Sequence, residues 1–127
     1  MFFGYAYDEE GLDLETLMNL PTEKGALSAL PNGKVDADNN AAICARGADI
    51  IVEATYTNPT DGEPAVSHCR TAIANKKHIV TTNKGPVALF GNELRDLAHA
   101  QNTGFEFEGT VMSGTPVLGF VSNNLKG

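Results

Sequence analysis

Hydrophobic and polar positions follow two alternating periods along the last two-thirds of the chain. Three short strand-like segments lie at about 48–54, 78–82 and 104–109. The first is an apolar, β-branched run, which is typical of a buried parallel strand. Apolar residues at helical spacing follow each run, in segments that begin near 64, 86 and 116. The pattern predicts the order β-α-β-α-β-α, and therefore three adjacent parallel strands in an α/β sheet of the doubly wound kind.

The second of these helices is the longest, from residue 86 to about 101. Its apolar stripe is predicted to face the core through Leu89, Leu94, Leu97 and Ala98. The three histidines, in contrast, share no metal-ligand spacing. We interpret them as helix-surface or strand-end residues rather than catalytic ones: His68, His78 and His99.

The first 40 residues are less regular. Leu14–Leu20 is predicted to form a short helix with Asp13 as its N-cap. The sequence contains no G-x-G-x-x-G turn, which follows the first strand of a dinucleotide-binding fold. We therefore interpret the fold as an incomplete doubly wound, Rossmann-like parallel sheet that lacks its first β-α-β unit.

Composition adds limits on partners and compartment. A length of 127 residues favours one domain, and a net charge of −7 argues against a nucleic-acid or anionic-membrane surface. No apolar run approaches the roughly 18 residues of a membrane span. Cys44 and Cys69 lack metal-ligand spacing and are expected to be reduced, which predicts a cytoplasmic protein.

Candidate chemistry lies where two predicted strands end. Lys84 stands on the turn between the second strand and the helix after it, and Thr55 follows the first strand. Open α/β sheets bind ligands at the carboxyl ends of their strands, so both side chains are predicted to point into one crevice. A solvated lysine and a turn-capping threonine remain the alternatives. For Glu53 we favour an edge carboxylate bonded to nearby backbone N–H groups over a catalytic acid.

A second candidate segment, 108–116, connects the third strand to the last helix. Its glycines permit backbone conformations that expose carbonyl oxygens, which are ligands for hard cations. The alternative is a tight connection with Thr115 as N-cap and Pro116 as the first helical residue. Both interpretations can hold together.

Three segments of this sequence resemble the homoserine dehydrogenases. They are the strand-turn-helix at 79–89, the segment at 107–117, and the preceding unit at 49–55 with 62–65. The resemblance implies reversible oxidation of homoserine to aspartate semialdehyde with NAD or NADP, in amino-acid biosynthesis. It also implies that 1–115 is a partial NAD(P)-binding domain and that 116–127 begins the connection to a substrate and dimerisation domain.

The same resemblance implies roles for single residues. Cofactor contacts would come from the two strand-end turns, through Ala54, Thr55, Asn83 and Lys84. Lys84 would act on the substrate electrostatically and by positioning, the main catalytic groups lying outside these residues. Backbone carbonyls would hold a monovalent cation such as sodium, those of Glu108, Val111, Ser113 and Thr115.

Two other functions stay open at this point. The first is a non-catalytic α/β module that binds nucleotide weakly or assembles with a partner chain. The second is a related dehydrogenase with another amino-acid substrate. Under the dehydrogenase hypothesis the 127-residue chain is expected to be inactive by itself and to form homo-oligomers.

Overall fold

The computed structural model describes residues 5–23, 25–34, 38–44 and 47–125. The chain divides into two compact units, Met1–Gly47 and Ala48–Gly127. In the first unit, helix α1 spans Leu14–Met18 and helix α2 spans Asn39–Cys44, with a 3-10 turn at Ala26–Ala29 between them. The Asp13 carboxylate accepts a hydrogen bond from the Thr16 N–H at 3.1 Å, which confirms the predicted N-cap.

The second unit contains the predicted sheet. Its elements are β1 (Ile50–Glu53), α3 (Ala65–Ala74), β2 (His78–Thr81), α4 (Lys84–Gln101), β3 (Phe105–Glu106) and α5 (Val117–Asn124). The strands lie in the order β1-β2-β3, and both pairs are parallel. The prediction of three adjacent parallel strands is therefore confirmed, and the unit is a Rossmann-like α/β fragment.

The core lies on one face of this sheet. Ile79 is fully buried and pairs with Phe105, which is 8% exposed. Helices α3 and α4 supply the facing side chains, namely Ala65, Val66, Cys69, Ala72, Ile73, Leu94 and Ala98. On the opposite face Ile50 and Val52 are 57% and 70% exposed. The described helices thus cover the sheet on one side.

Helix α4 differs from the prediction in its phase. Leu94 and Ala98 are buried as predicted, but Leu89 and Leu97 are 45% and 40% exposed. The helix has non-helical backbone angles at Phe90 (φ −134°, ψ 16°), where it is kinked. The kink separates Leu89 from the buried stripe that follows it. Leu97 lies after the kink, between the buried Leu94 and Ala98, and is at the margin of that stripe.

Two boundaries also differ. Strand β3 ends at Glu106, and Glu108–Thr110 forms a 3-10 turn instead of continuing the strand to 109. Helix α5 begins at Val117, and Pro116, which has no capping side chain, occupies the N-cap position, so Thr115 is not the N-cap. Among the described residues, no helix has both the length and the apolar character needed to cross a membrane.

Candidate functional site at the strand ends

The carboxyl ends of β1 and β2 meet at one edge of the sheet. Glu53 and Thr81 are the last residues of these strands and face each other in the parallel register. The Thr81 hydroxyl donates to the Glu53 backbone carbonyl at 3.0 Å and lies 3.3 Å from Glu53 Oε2. Both side chains are almost completely buried, Glu53 at 2% exposed and Thr81 at 1%.

Asn83 ties the turn after β1 to the start of α4. It is the N-cap of α4, and its Oδ1 accepts from the Gly85 N–H at 3.1 Å. Its Nδ2 donates to the carbonyls of Thr55 and Tyr56, at 3.1 and 3.2 Å. Its own N–H donates to the Thr81 hydroxyl at 3.0 Å. One amide side chain therefore links two loops that are almost 30 residues apart in sequence.

The Glu53 carboxylate accepts several hydrogen bonds at the end of β1. Oε1 accepts from the Thr55 N–H at 3.0 Å and also from the Thr55 hydroxyl. His68 Nδ1, from α3, lies 3.7 Å from the same oxygen, which is too long for a direct hydrogen bond. Burial raises the pKa of Glu53, but His68 and the Thr55 hydrogen bonds outweigh it, so that pKa lies below its usual value. Glu53 is thus an ionised structural acceptor at neutral pH.

The predicted interpretation of Glu53 as an edge carboxylate is therefore confirmed, but that of His68 is wrong. His68 is only 5% exposed and faces Glu53 from inside the fold. The sequence held a signal for this position. His68 precedes Ala72 by four residues, and Ala72 belongs to the apolar stripe of α3, so helical spacing places both on the same face.

The structure brings the predicted cofactor residues to one edge. Ala54 and Thr55 form the turn after β1, Asn83 caps α4, and Lys84 is its first residue. Asn83 is buried, whereas the other three are exposed. The loop after β1 also packs closely on α4, since a Cβ at Gly85 would lie 3.0 Å from the Asn58 carbonyl oxygen. The result is a fixed backbone edge that presents polar groups.

The predicted cation segment has a different organisation. Met112 and Ser113 adopt left-handed backbone angles (φ 55° and 53°), which turn the chain sharply before α5. The Thr115 carbonyl accepts from the Val117 N–H at 2.8 Å, and the Glu108 carbonyl accepts from the Val111 N–H at 3.4 Å. A carbonyl oxygen has two lone pairs, so both oxygens retain capacity for a second partner.

The Glu108 side chain makes contacts that the sequence did not suggest. Its Oε1 accepts from the Leu118 N–H and its Oε2 from the Gly119 N–H, each at 2.9 Å. A carboxylate thus caps the first turn of α5 from ten residues upstream, where the helix dipole favours negative charge. Side-chain ligation of a metal is not indicated, because the described residues contain no group of three or more His, Cys, Asp or Glu suited to it.

A groove of about 390 Å³ lies elsewhere, beside α4. It is lined by Val87 to Glu93, Arg95 and Phe107, and by neither Thr55 nor Lys84. We take the polar edge at the strand ends as the candidate site because open α/β sheets bind ligands at the carboxyl ends of their strands.

Comparison with known proteins agrees with this assignment of the fold. Residues 8–108 match the family model for the NAD binding domain of homoserine dehydrogenase. The NAD(+)-dependent homoserine dehydrogenase of Pseudomonas canavaninivorans is 55% identical over 127 residues, which is 100% of this chain and 36% of that protein. The homoserine dehydrogenase of Methanocaldococcus jannaschii is 34% identical over 124 residues, covering 98% of this chain and 37% of its own.

Solved structures give the same answer. A homoserine dehydrogenase from Thiobacillus denitrificans superposes with a TM-score of 0.63 at 32% identity, covering 79% of this chain and 22% of that one. A hyperthermophilic archaeal homoserine dehydrogenase in complex with NADPH gives 0.63 at 29% identity, over 77% of this chain and 30% of that one. The chain spans little more than a third of the curated relatives described above. It belongs to the homoserine dehydrogenase family and corresponds to part of the family's NAD-binding domain.

Proposed function

We propose that this chain forms the dinucleotide-binding edge of an NAD(P)-dependent homoserine dehydrogenase, which interconverts homoserine and aspartate semialdehyde. The observation that carries the proposal is the network that joins the two strand ends through Glu53, Thr81 and Asn83. In open α/β sheets this edge is where ligands bind. The network holds the turn at Ala54 and Thr55 against the first turn of α4.

The proposed roles follow from chemistry and exposure. Thr55 and the turn at Ala54 contact the cofactor near its ribose or phosphates, and Asn83 keeps that turn in place. The N-terminus of α4 adds partial positive charge beside Lys84. A bound NAD(P) would supply the acceptor for the hydride that leaves the carbinol carbon of homoserine. The Lys84 ammonium stabilises the negative charge that develops on the substrate oxygen, which is an electrostatic and positioning role.

A monovalent cation such as sodium is a second part of the proposal. Its ligands would be the backbone carbonyls of Glu108, Val111, Ser113 and Thr115, whose oxygen chemistry suits a hard cation. The left-handed turn at Met112 and Ser113 supports this assignment, because it redirects successive carbonyls within a short segment. The site would order the connection between the domain at 1–115 and the segment at 116–127.

Partners and compartment are proposed on the same basis. The substrate is a small amino acid, and a net charge of −7 gives no reason to expect nucleic acid or an anionic membrane. A homo-oligomer in the cytoplasm is the state we expect for the active enzyme.

A hybrid enzyme tests the activity directly. In the Pseudomonas canavaninivorans dehydrogenase, the matching 127 residues are replaced by this chain, the two being 55% identical. We expect homoserine-dependent formation of NADH or NADPH by the hybrid. Lys84→Met, which removes the charge at similar length, is expected to lower kcat by about 10²-fold or more, as for the loss of one transition-state donor. Lys84→Arg is the control that keeps the charge.

The result that contradicts the proposal is equally specific. A folded hybrid that binds NAD(P) but does not oxidise homoserine would exclude this activity for the chain. It would favour the alternative of a non-catalytic nucleotide-binding module.

A further inference from the structure

Hydrogen bonds at the strand ends form a closed circuit. The Glu53 carboxylate accepts from the Thr55 N–H, and the Thr55 carbonyl accepts from Asn83 Nδ2. The Asn83 N–H donates to the Thr81 hydroxyl, which itself donates to the Glu53 backbone carbonyl. The circuit connects the ends of two strands, the turn after β1 and the N-cap of α4.

The residues of the circuit differ in their exposure to solvent. Thr55 is exposed at the edge, and so is Lys84, which directly follows Asn83. Glu53 and Thr81 are 2% and 1% exposed and have no surface to offer a ligand. These two residues can therefore act on a bound molecule only through their neighbours, of which Thr55 and Asn83 are hydrogen-bonded to them.

We propose that Glu53 and Thr81 are positioning residues for the dinucleotide, which hold the Thr55 turn and the start of α4 at a fixed separation. His68 supports the Glu53 carboxylate from α3, at 3.7 Å. The inference rests on the proposed function in one respect only, namely that the dinucleotide binds at this edge. The coupling between the two loops is a property of the chain itself.

Thr81 offers the cleanest substitution because its hydroxyl is the junction of the circuit. Thr81→Val keeps the shape of the side chain but removes both the donor to Glu53 and the acceptor for the Asn83 N–H. Thr81→Ser keeps the hydroxyl and removes a methyl group. The two variants separate the hydrogen bonds from the packing of a buried side chain.

Thr103 provides a matched control at the opposite edge of the sheet. It precedes β3, and its hydroxyl donates to the Ala98 carbonyl at 3.3 Å, at the end of α4. Thr103→Val therefore also removes a hydroxyl hydrogen bond from the same unit. It leaves the circuit at the carboxyl ends intact.

The first measurement is steady-state kinetics of the hybrid enzyme. Thr81→Val is expected to raise KM for the dinucleotide about 5- to 20-fold, the range for a lost buried hydrogen bond, with kcat changed less than about 2-fold. Thr81→Ser and Thr103→Val are expected to stay within about 2-fold of the unsubstituted hybrid in both constants. A purely structural role would lower the amount of active enzyme without raising KM.

The second measurement is amide hydrogen exchange of the full chain without cofactor. Thr81→Val is expected to accelerate exchange at Thr55 as well as at Asn83 and Gly85, because the two loops share the circuit. Thr103→Val is expected to leave these three amides unchanged.

Failure of this inference is distinct from failure of the proposed function. Unchanged exchange at Thr55 in Thr81→Val would overturn the coupling, whatever the hybrid catalyses. Faster exchange at Thr55 with an unchanged KM would overturn the positioning role. If the hybrid oxidises no homoserine, the proposed activity fails, and the dissociation constant for NADH then replaces KM as the deciding quantity.

Discussion

At the residue scale, burial decides what each polar group does. Glu53 and Thr55 are two residues apart, yet one is 2% exposed and the other lies at the surface. The buried carboxylate accepts hydrogen bonds that hold the edge in place, and the exposed Thr55 hydroxyl is one of their donors. The place of Glu53 at a strand end already indicates an edge carboxylate. The structure adds His68 as a neighbour of that carboxylate.

The contribution of Glu53 to the free energy of unfolding is predicted to depend on pH. Its pKa is lowered in the folded chain, so its ionised form contributes stability above the ordinary glutamate pKa of about 4.3, and this contribution is lost as the pH falls through the lowered value. We expect Glu53→Gln to reduce the free energy of unfolding near neutral pH. The difference from the unsubstituted chain should shrink below about pH 4.3. Urea unfolding at a series of pH values measures it.

Glu106→Gln is the control for that experiment, because Glu106 is exposed on β3 and its substitution also removes one negative charge. If Glu53→Gln lowered the free energy of unfolding by the same amount at neutral and at acid pH, Glu53 would not be an ionised acceptor.

The two cysteines are predicted to differ in reactivity. Neither forms a disulfide, as expected from the sequence. Burial raises the pKa of the Cys69 thiol to about 12, and Glu53 and Glu63 add to the shift. Because the thiolate is the reactive form, an aromatic disulfide reagent at pH 8 should modify exposed Cys44 rapidly and Cys69 only after unfolding. Cys44→Ser should abolish the rapid phase, and a rapid phase that survives would contradict the burial of Cys69.

At the element scale, packing between α3 and α4 covers the buried face of the sheet. Arg70 of α3 makes a paired hydrogen bond with Glu93 of α4, at 2.8 and 2.9 Å, and its guanidinium lies 4.9 Å from the centre of the Phe90 ring. Both charged side chains are about 40% exposed, so the pair adds little to stability. The apolar contacts beneath it, including Leu94 and Ala98, are the main source of helix packing.

Two leucines of α4 form a matched test of that packing. Leu94 is fully buried, whereas Leu97 is 40% exposed. We expect Leu94→Ala to lower the free energy of unfolding by about 2–5 kcal/mol, the range for a large-to-small change in a core. Leu97→Ala should cost less than about 1 kcal/mol, as for a partly exposed position. Urea unfolding at one fixed chain concentration compares them, and equal losses would restore the inward-facing prediction for Leu97.

The elements themselves were largely predictable from the sequence. Short β-branched runs identified β1 and β2, because such runs are typical of strands buried between neighbours. The alternation at 105–109 suggested a longer third strand, but Thr110 donates its hydroxyl to the Phe107 carbonyl at 2.7 Å and closes a 3-10 turn there. The kink at Phe90 was likewise invisible, because helical periodicity does not report a local change of backbone angles.

The candidate site was predictable in outline for a topological reason. Parallel strands of known order place their carboxyl ends at one edge, so Thr55 and Lys84 could be assigned to it from their positions after two strands. The contacts of Asn83 with Thr55 and of Glu53 with His68 depend on side-chain directions across three elements. Spacing along the chain does not determine those directions.

At the scale of the whole molecule, the chain supplies only one edge of the proposed catalytic site. We expect no measurable homoserine oxidation by the 127-residue chain alone, with either NAD or NADP. Positioning of cofactor and substrate contributes several kcal/mol to such catalysis, roughly 7–11 in favourable cases, and the proton-transfer groups are not among the residues assigned here. Absorbance of NAD(P)H at high chain concentration is the measurement. Steady turnover abolished by Lys84→Met would contradict the expectation.

We expect the chain to self-associate through the apolar sheet face opposite α3 and α4. Ile50, Val52 and Val80 are 57%, 70% and 41% exposed, and Val52 pairs with Val80 in register, so the three apolar side chains form one surface. Strand β1 also lies at the edge of the described sheet, and apolar edges pair readily with other chains. We therefore expect the chain to be oligomeric at micromolar concentration, with a melting temperature that rises with concentration.

A charge on that surface tests the cause of the association. Val52→Lys is expected to shift light scattering towards the monomer, because burial of an unpaired ammonium between two apolar faces is unfavourable. Ala100→Lys adds the same charge at an exposed position of α4 and should leave the oligomer unchanged. A monodisperse monomer whose melting temperature is independent of concentration would contradict the prediction, since it would mean that the exposed valine and isoleucine side chains are tolerated in water without a partner.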